Sequence, residues 1–212
     1  MKYPIGIQSF EKIIEDGFVY VDKTALIYKL THEGNIYFLS RPRRFGKSLL
    51  VSTLENYYLG RKELFRGLDI EKMETEWNTY PVFHVDFNGG NFTNPDELEL
   101  KLNFNLSQWE QQFGLPNRSE TLGYGDRFAE ILQAAHKQTG RRAVVLVDEY
   151  DKPMLQSIGN EELQNEYRNT LKAFYSVMKT QDRYIRFGFL TGVTKFGKVS
   201  VFSDLNNLID IS

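Results

Sequence analysis

Asn35-Ile-Tyr-Phe-Leu-Ser-Arg-Pro-Arg-Arg-Phe-Gly-Lys-Ser48 is the stretch whose reading decides the fold. The apolar run Ile36–Leu39 reads as a strand, a tight basic loop follows, and Ser48 to Tyr58 reads as a helix. A strand, a loop ending Gly46-Lys47-Ser48 and a helix make the layout of a phosphate-binding loop. The glycine lets the backbone approach a phosphate, and Lys47 brings charge to the β- and γ-phosphates. The Ser48 hydroxyl is placed to ligate Mg²⁺, and the helix N-terminus offers unpaired N–H groups. Against the usual G-x-x-x-x-G-K-[ST], Arg41 stands where the first glycine belongs, and Pro42 fixes its φ and has no N–H to give. A basic loop capping a helix is the plainer reading of Gly-Lys-Ser alone. The flanking strand and helix favour phosphate.

The chain around this loop has 212 residues, 41% of them hydrophobic and 25% charged, enough for one domain with its own core. Its net charge of −2 argues against binding a polyanion over the whole surface, so any nucleic-acid contact would be local. With no cysteine there is no disulfide, thiolate zinc site or cysteine nucleophile, and three scattered histidines (His32, His84, His136) do not suggest a metal cluster. No apolar run approaches the roughly 18 residues of a membrane span. The first residues, Met1-Lys-Tyr-Pro-Ile-Gly6, lack the apolar core of a signal peptide, so a cytoplasmic protein with no membrane contact is expected.

Outward from the loop, Phe18–Val21 reads as a short strand, and Asp22 is placed to cap a helix from Lys23 to about Thr31 that ends at Gly34. Residues 1–34 are thus expected to form a strand–helix segment packed on a single domain of residues 1–212. Gly60–Tyr80 reads as a short helix and a connection. Pro81–Phe87 alternates as a strand that Gly89-Gly90 ends. Asn94-Pro95-Asp96-Glu97 is a strong helix start, followed by Leu98, Leu102, Leu106, Trp109 and Phe113 at helical spacing. Phe128–Lys137 reads as a short helix. Ala143–Val147 is a continuous apolar run, as in a parallel strand buried on both faces. Glu161–Lys179 reads as a helix, and Ile185–Leu190 as a fourth strand. The alternation predicts an α/β fold with a mainly parallel sheet flanked by helices.

A nucleotide-binding loop needs an acid at the end of a buried strand to hold Mg²⁺, and many such proteins also use a carboxylate to activate water. Val144-Val-Leu-Val-Asp148-Glu149 supplies both, with Asp148 beside Ser48 as metal ligand and Glu149 to polarise water. Asp151 and Lys152 extend the cluster, Asp151 either supporting it or capping a helix. Thr191 ends the fourth strand, where ligands bind in open parallel sheets. Its hydroxyl either senses the γ-phosphate or, with Gly192, simply caps the strand, with Thr194 and Lys195 close by. The catalytic set on this reading is Lys47, Glu149 and Thr191, and the nucleotide cradle is Arg43, Arg44, Phe45, Gly46, Lys47, Ser48 and Leu49. Arg41, Arg43 and Arg44 are suited to bidentate phosphate contacts and equally to pairing with acids such as Asp148.

Four blocks in order give the chain its likeness to a known family. They are Tyr20-Val-Asp-Lys-Thr24; Ser40-Arg-Pro-Arg-Arg-Phe-Gly-Lys-Ser-Leu49; Leu146-Val-Asp-Glu-Tyr-Asp-Lys-Pro153; and Phe189-Leu-Thr-Gly-Val-Thr-Lys-Phe196 running into Ser203-Asp-Leu-Asn-Asn-Leu208. With these the chain resembles, over nearly its whole length, the bacterial AAA-ATPase-like family of P-loop proteins, whose loop also carries arginine where Arg41 stands. The resemblance implies an additional-strand ATPase core, with the fourth strand inserted between the strands that carry the two nucleotide motifs. It implies ATP and Mg²⁺ as ligands, with ATP preferred over GTP, and a Tyr20–Thr24 block near the nucleotide. There Tyr20 either packs on adenine or is buried in the core. Members usually continue into a half resembling a PD-(D/E)XK nuclease, which makes such a domain, and nucleic acid through it, the expected partners. Asp151-Lys152 has the wrong spacing for a nuclease (D/E)-x-K, so this chain is not expected to cut DNA. The sheet is expected to stop after the fourth core strand. The residues favour an ATP-binding module with Mg²⁺-dependent ATPase activity. Alternatives are a nucleotide-gated regulatory module with little turnover and a nucleic-acid-binding module built on the arginine-rich loop.

Overall fold

The computed structural model describes residues 1–195, 201–202 and 208–212. Phe196 and Ser203–Asn207 of the fourth block lie outside the described residues. The elements run α1 (Phe10–Glu15), α2 (Thr24–Glu33), β1 (Ile36–Ser40), α3 (Lys47–Tyr58), α4 (Asp69–Met73), β2 (Val82–Asp86), α5 (Glu97–Gln112), α6 (Tyr124–Thr139), β3 (Ala143–Asp148), α7 (Lys152–Gln156), α8 (Glu161–Thr180), β4 (Ile185–Gly192) and β5 (Leu208–Asp210). The strands pair in the order β2-β3-β4-β1-β5, every pair parallel. Two helical layers sandwich the sheet. One face packs Phe38, Val145, Val147 and Leu190 against α5, α6 and α8, and the other packs Tyr37, Val144, Leu146, Phe187 and Phe189 against α1, α2 and α3.

β4 lies between β1 and β3, as an additional-strand core requires. β3 is buried at every residue, which is why it reads as an unbroken apolar run. The expectation that the sheet ends after four strands is corrected by β5. It pairs with the outer edge of β1, from Ile36↔Leu208 to Phe38↔Asp210, and the pairing continues as the Ile211 amide donates to the Phe38 carbonyl at 3.0 Å. With three residues, β5 has too little length to show a period, and only the open hydrogen-bonding edge of β1 makes it a strand. The expected strand at Phe18–Val21 is likewise corrected to one isolated bridge between Lys2 and Phe18. α6 begins at Tyr124, before the apolar stripe that marked its expected start, because Gly123 provides an extended N-cap there.

α5 and α6 are fastened by a buried ion pair. Arg127, 1% exposed, grips Glu110, 3% exposed, through two bonds of 2.7 and 2.9 Å. Its remaining donors go to Asn103 at 2.5 Å and Ser107 at 3.2 Å. Removing one partner strands the other charge in the interior. Arg127→Leu is therefore expected to lower stability by roughly 3–5 kcal/mol, read from the urea midpoint, and Arg127→Leu with Glu110→Leu to recover most of that loss. A double variant no more stable than the single one would show that the pair itself holds the two helices.

Candidate nucleotide-binding site

Lys47, Ser48, Asp148, Glu149 and Thr191 all lie at the carboxyl ends of three adjacent strands, β1, β4 and β3. The registers Leu39↔Thr191 and Val147↔Leu190 bring the ends of these strands level, so the loop leaving β1 faces the acids leaving β3. Arg41 continues the β1–β4 pairing, its N–H donating to the Gly192 carbonyl at 3.1 Å. That is why the position does not need glycine: the left-handed residues of this loop come later, at Arg44 (φ 68°) and Gly46 (φ 76°). Gly46 is the N-cap of α3 and gives it no side-chain cap, so the first-turn amides keep their N–H groups for another acceptor. Lys47, 5% exposed, folds back to donate to the Arg41 and Pro42 carbonyls at 3.0 and 3.2 Å, which centres its charge in the loop. Arg41, Arg43, Arg44 and Phe45 are exposed around it.

On the facing edge, Asp148 is 2% exposed. Its Oδ1 accepts from the Thr191 hydroxyl, and its Oδ2 accepts from the Asn88 side-chain amide at 3.1 Å. The Thr191 oxygen also accepts from the Glu149 N–H at 3.3 Å, so the threonine joins strand end to acid pair. The arginines of the loop do not pair with Asp148 among the described residues. Glu149 sits at φ 54°, left-handed like Arg44 in the loop leaving β1. Burial and the neighbouring Asp148 charge hold its carboxyl above the usual carboxylate range, against the pull of Lys152, Lys47 and Arg43. A carboxylate-and-hydroxyl set is the hard oxygen chemistry that Mg²⁺ prefers, and Ser48 and Asp148 fit that ion. A cleft of about 360 Å³ runs from Ser48 and Asp148 along α3, past the His84–Glu55 pair (3.2 Å), to Glu11 and Arg61.

Four further residues take roles that only the fold decides. Asp151 begins α7, but its carboxylate does not cap that helix. It accepts from the Val193 N–H at 3.0 Å, the Thr194 N–H at 2.7 Å and the Thr194 hydroxyl at 2.9 Å, tying α7 to the loop after β4. Lys195 turns away to Asp210 at 2.9 Å. Tyr20 packs edge-on against Phe10, their centroids 5.1 Å apart, in the corner of α1 and α3, and so takes the core role of its two expected ones. Asp22 takes the Thr24 N–H and hydroxyl at 2.8 and 2.7 Å and the Asp69 N–H at 2.8 Å, pinning α2 to α4.

A family model described as predicted AAA-ATPase, AAA-ATPase-like, matches residues 4–202. The chain belongs to the AAA-ATPase-like family. A curated relative, an uncharacterized protein in the vnfD 5′ region of Azotobacter chroococcum mcd 1, is 46% identical over 217 residues. The match takes in 100% of this chain and 41% of the relative, so the chain spans about two-fifths of that relative's length. Among solved structures, the ORC2 protein of Aeropyrum pernix, determined as ADPNP and ADP complexes, matches with a TM-score of 0.51 at 14% identity, covering 94% of this chain and 51% of that one. That likeness shows a shared fold. Membership of the AAA-ATPase-like family, with this fold, supports an ATP-binding module. Among the described residues, no helix is long and apolar enough to cross a membrane.

Asn88 is the site residue that sequence reasoning missed. It follows β2 in Asn88-Gly89-Gly90, a run whose evident meaning is a turn, and only the fold carries it to Asp148. Its carbonyl also takes the Lys152 ammonium, so the loop after β2 is braced to the start of α7.

The Glu149 shift has a signed consequence. A carboxyl whose folded pKa lies above its unfolded one makes stability fall as pH rises from the ordinary carboxylate range through the folded value. Glu149→Gln is therefore expected to match the wild type in acid and to be the more stable of the two above that window, its urea midpoint changing less between pH 4 and neutrality. A variant that tracks the wild-type pH profile would place the shift elsewhere.

Proposed function

We propose that the chain binds ATP at the α3 N-terminus and hydrolyses it with Mg²⁺. The observation that carries this reading is the buried Lys47, its ammonium held by two loop carbonyls, at the same carboxyl edge of the sheet as the Asp148–Thr191 pair. On this reading the N–H groups of Arg43, Arg44, Phe45, Gly46, Lys47 and Ser48 cradle the phosphates, Leu49 anchors the helix below them, and Lys47 moves from the carbonyls to the β- and γ-phosphate oxygens. Ser48 and Asp148 would hold Mg²⁺, which when bound neutralises charge on those oxygens. Glu149 orients a water and accepts its proton as the water oxygen bonds to the γ-phosphorus. The bond from that phosphorus to the bridging oxygen breaks, and ADP leaves with the electron pair. The raised pKa of the Glu149 carboxyl suits a base that must take up a proton. Thr191, hydrogen-bonded to Asp148 and to the Glu149 N–H, sets the two carboxylates relative to each other and on this reading would sense the γ-phosphate through them.

The test is thermal unfolding with and without ATP and Mg²⁺. Ligand at a thousand times its Kd adds about 4 kcal/mol, and each kcal/mol moves the midpoint by roughly 2–4 °C in a domain of this size. A shift of many degrees in the wild type, absent in Lys47→Ala, is expected. Glu149→Gln should keep the shift and lose phosphate release by a hundredfold or more, on the order of what a positioned base contributes. No shift at millimolar ATP would overturn the site. A full shift with no release in the wild type would favour the second reading, a nucleotide-gated regulatory module. That reading has its own support in the engaged state of the site, where Lys47 is closed on its loop and Asp148 on Thr191. An effector domain, nuclease-like or other, would then have to sit in the part of the full-length relative that this chain does not span.

A further inference from the structure

The sheet edge opposite the nucleotide site gathers positive charge. α6 and α8 both end there, where the chain turns into β3 and β4. Residues 133–142 and 179–184 carry five permanent cations, Lys137, Arg141, Arg142, Lys179 and Arg183, against one carboxylate, Asp182, in a chain whose net charge is −2. All five cations are exposed, and none of them pairs with a carboxylate among the described residues. Glu76 is reached through Asn78, whose oxygen accepts from Arg141 at 2.9 Å and whose amide donates to Glu76 at 3.3 Å.

The two segments form one surface. The Gln133 side-chain amide donates to Gln181 at 3.1 Å, the His136 and Tyr184 rings lie 5.3 Å apart, and His136 Nδ1 bonds the Arg141 carbonyl at 3.1 Å. Two of the guanidinium groups are backed by rings: Arg183 lies over Tyr184 at 4.5 Å, and Arg141 over Tyr80 at 5.7 Å. A guanidinium seated on a ring loses little freedom when its donors meet a phosphate. The negative ends of α6 and α8 account for Lys137 and Lys179, which sit in their last turns. They do not account for Arg141, Arg142 and Arg183, which lie past both helix ends.

We propose that this edge binds the phosphate backbone of a nucleic-acid duplex. A protein partner or a lipid surface would call on apolar side chains, and none of the exposed large hydrophobics among the described residues belongs to these two segments. A single strand would call on open aromatic rings for its bases, but Tyr184 and Tyr80 are half-buried and carry arginines over their faces. What remains is arginine and lysine, donors without acceptors, the chemistry that meets phosphates without reading sequence. The proposal is independent of the ATP reading, since none of its residues belongs to the loop or to the acid pair.

The experiment follows the anisotropy of a short fluorescent DNA duplex titrated with the protein at salt concentrations between about 50 and 200 mM. Micromolar binding is expected, with a log–log salt slope of roughly −3 to −4, about −0.9 for each phosphate met by five cations that Asp182 partly offsets. Arg142→Glu with Arg183→Glu should weaken binding at least tenfold and make the slope shallower by about 2, while any thermal shift caused by ATP stays as in the wild type. If that protein does not fold, Lys137→Gln with Lys179→Gln, at two exposed positions, carries the test with the same direction of change. Arg43→Gln with Arg44→Gln should bind the duplex as the wild type does. No binding at about 50 mM salt, or binding untouched by both variants of this edge, overturns the proposal. A loss confined to the Arg43→Gln, Arg44→Gln protein would place the duplex on the loop. Equal affinity for phosphatidylserine vesicles or polyglutamate at matched salt would show a surface for any polyanion. Either result also overturns the proposal.

Discussion

The parallel seating of β4 between β1 and β3 is the constraint on which the rest of the molecule depends. A central strand has both rows of backbone groups hydrogen-bonded, and its side chains are buried on both faces, so its register cannot slip without turning Phe187 and Phe189 away from the α1–α3 layer. That register places Thr191 beside Leu39 at the mouth of the basic loop and one step from Asp148. Gly192 is fixed by the same closeness, because a Cβ there would lie 2.4 Å from the Tyr150 ring. Tyr150 in turn donates its backbone N–H to the Thr191 carbonyl at 2.9 Å. Strand order, loop placement and acid placement are thus one decision taken in the sheet.

Much of this was legible beforehand, for a physical reason. The phosphate-binding loop and the β3 acids are local patterns: apolar residues in a row, then glycine, lysine and serine, or then two carboxylates. Each needs only its own neighbours to be recognised, whereas the place of the fourth strand between them came with the resemblance to the family and not from the order of the motifs. What stayed hidden depends on partners far away in sequence. Asn88 looks like turn material until β2 lies beside β3 and aims it at Asp148. Asp151 looks like a helix cap until the loop after β4 presents two N–H groups and a hydroxyl to it. β5 exists because β1 has an edge to offer, and three residues carry no period of their own. Tyr20 was read with two meanings, and packing chose between them: the ring against Phe10 belongs to the corner that holds α1 on α3.

Helix α3 connects the regions that sequence analysis treated separately. Lys47 and Ser48 open it, and the Ser52 hydroxyl accepts the first amide of α1 at 3.0 Å. Glu55 then holds His84 of β2, and Tyr57 and Tyr58 close the helix in the aromatic wall with Trp77 and Phe187. Val51 and Leu54 are fully buried between these contacts. A helix of 12 residues is roughly 18 Å long, so α3 joins the phosphate-binding loop to the aromatic wall at its far end.

Backbone strain gives a separate physical pointer to the same edge of the sheet. Among the described residues, two that are not glycine adopt a left-handed backbone, Arg44 at φ 68° and Glu149 at φ 54°. Each costs on the order of 1–2 kcal/mol relative to an ordinary conformation and persists only where its surroundings hold it. The two are about a hundred residues apart in sequence, on loops leaving different strands at the same edge of the sheet. Glu149 is held there by its N–H on Thr191, and the Arg44 turn by the closure of Lys47 onto the Arg41 and Pro42 carbonyls. Strain placed at random would not choose the two loops that bring Lys47 near the Asp148 and Glu149 carboxylates. The molecule spends conformational energy where charge must be presented, and relaxed backbone elsewhere in the sheet sustains it.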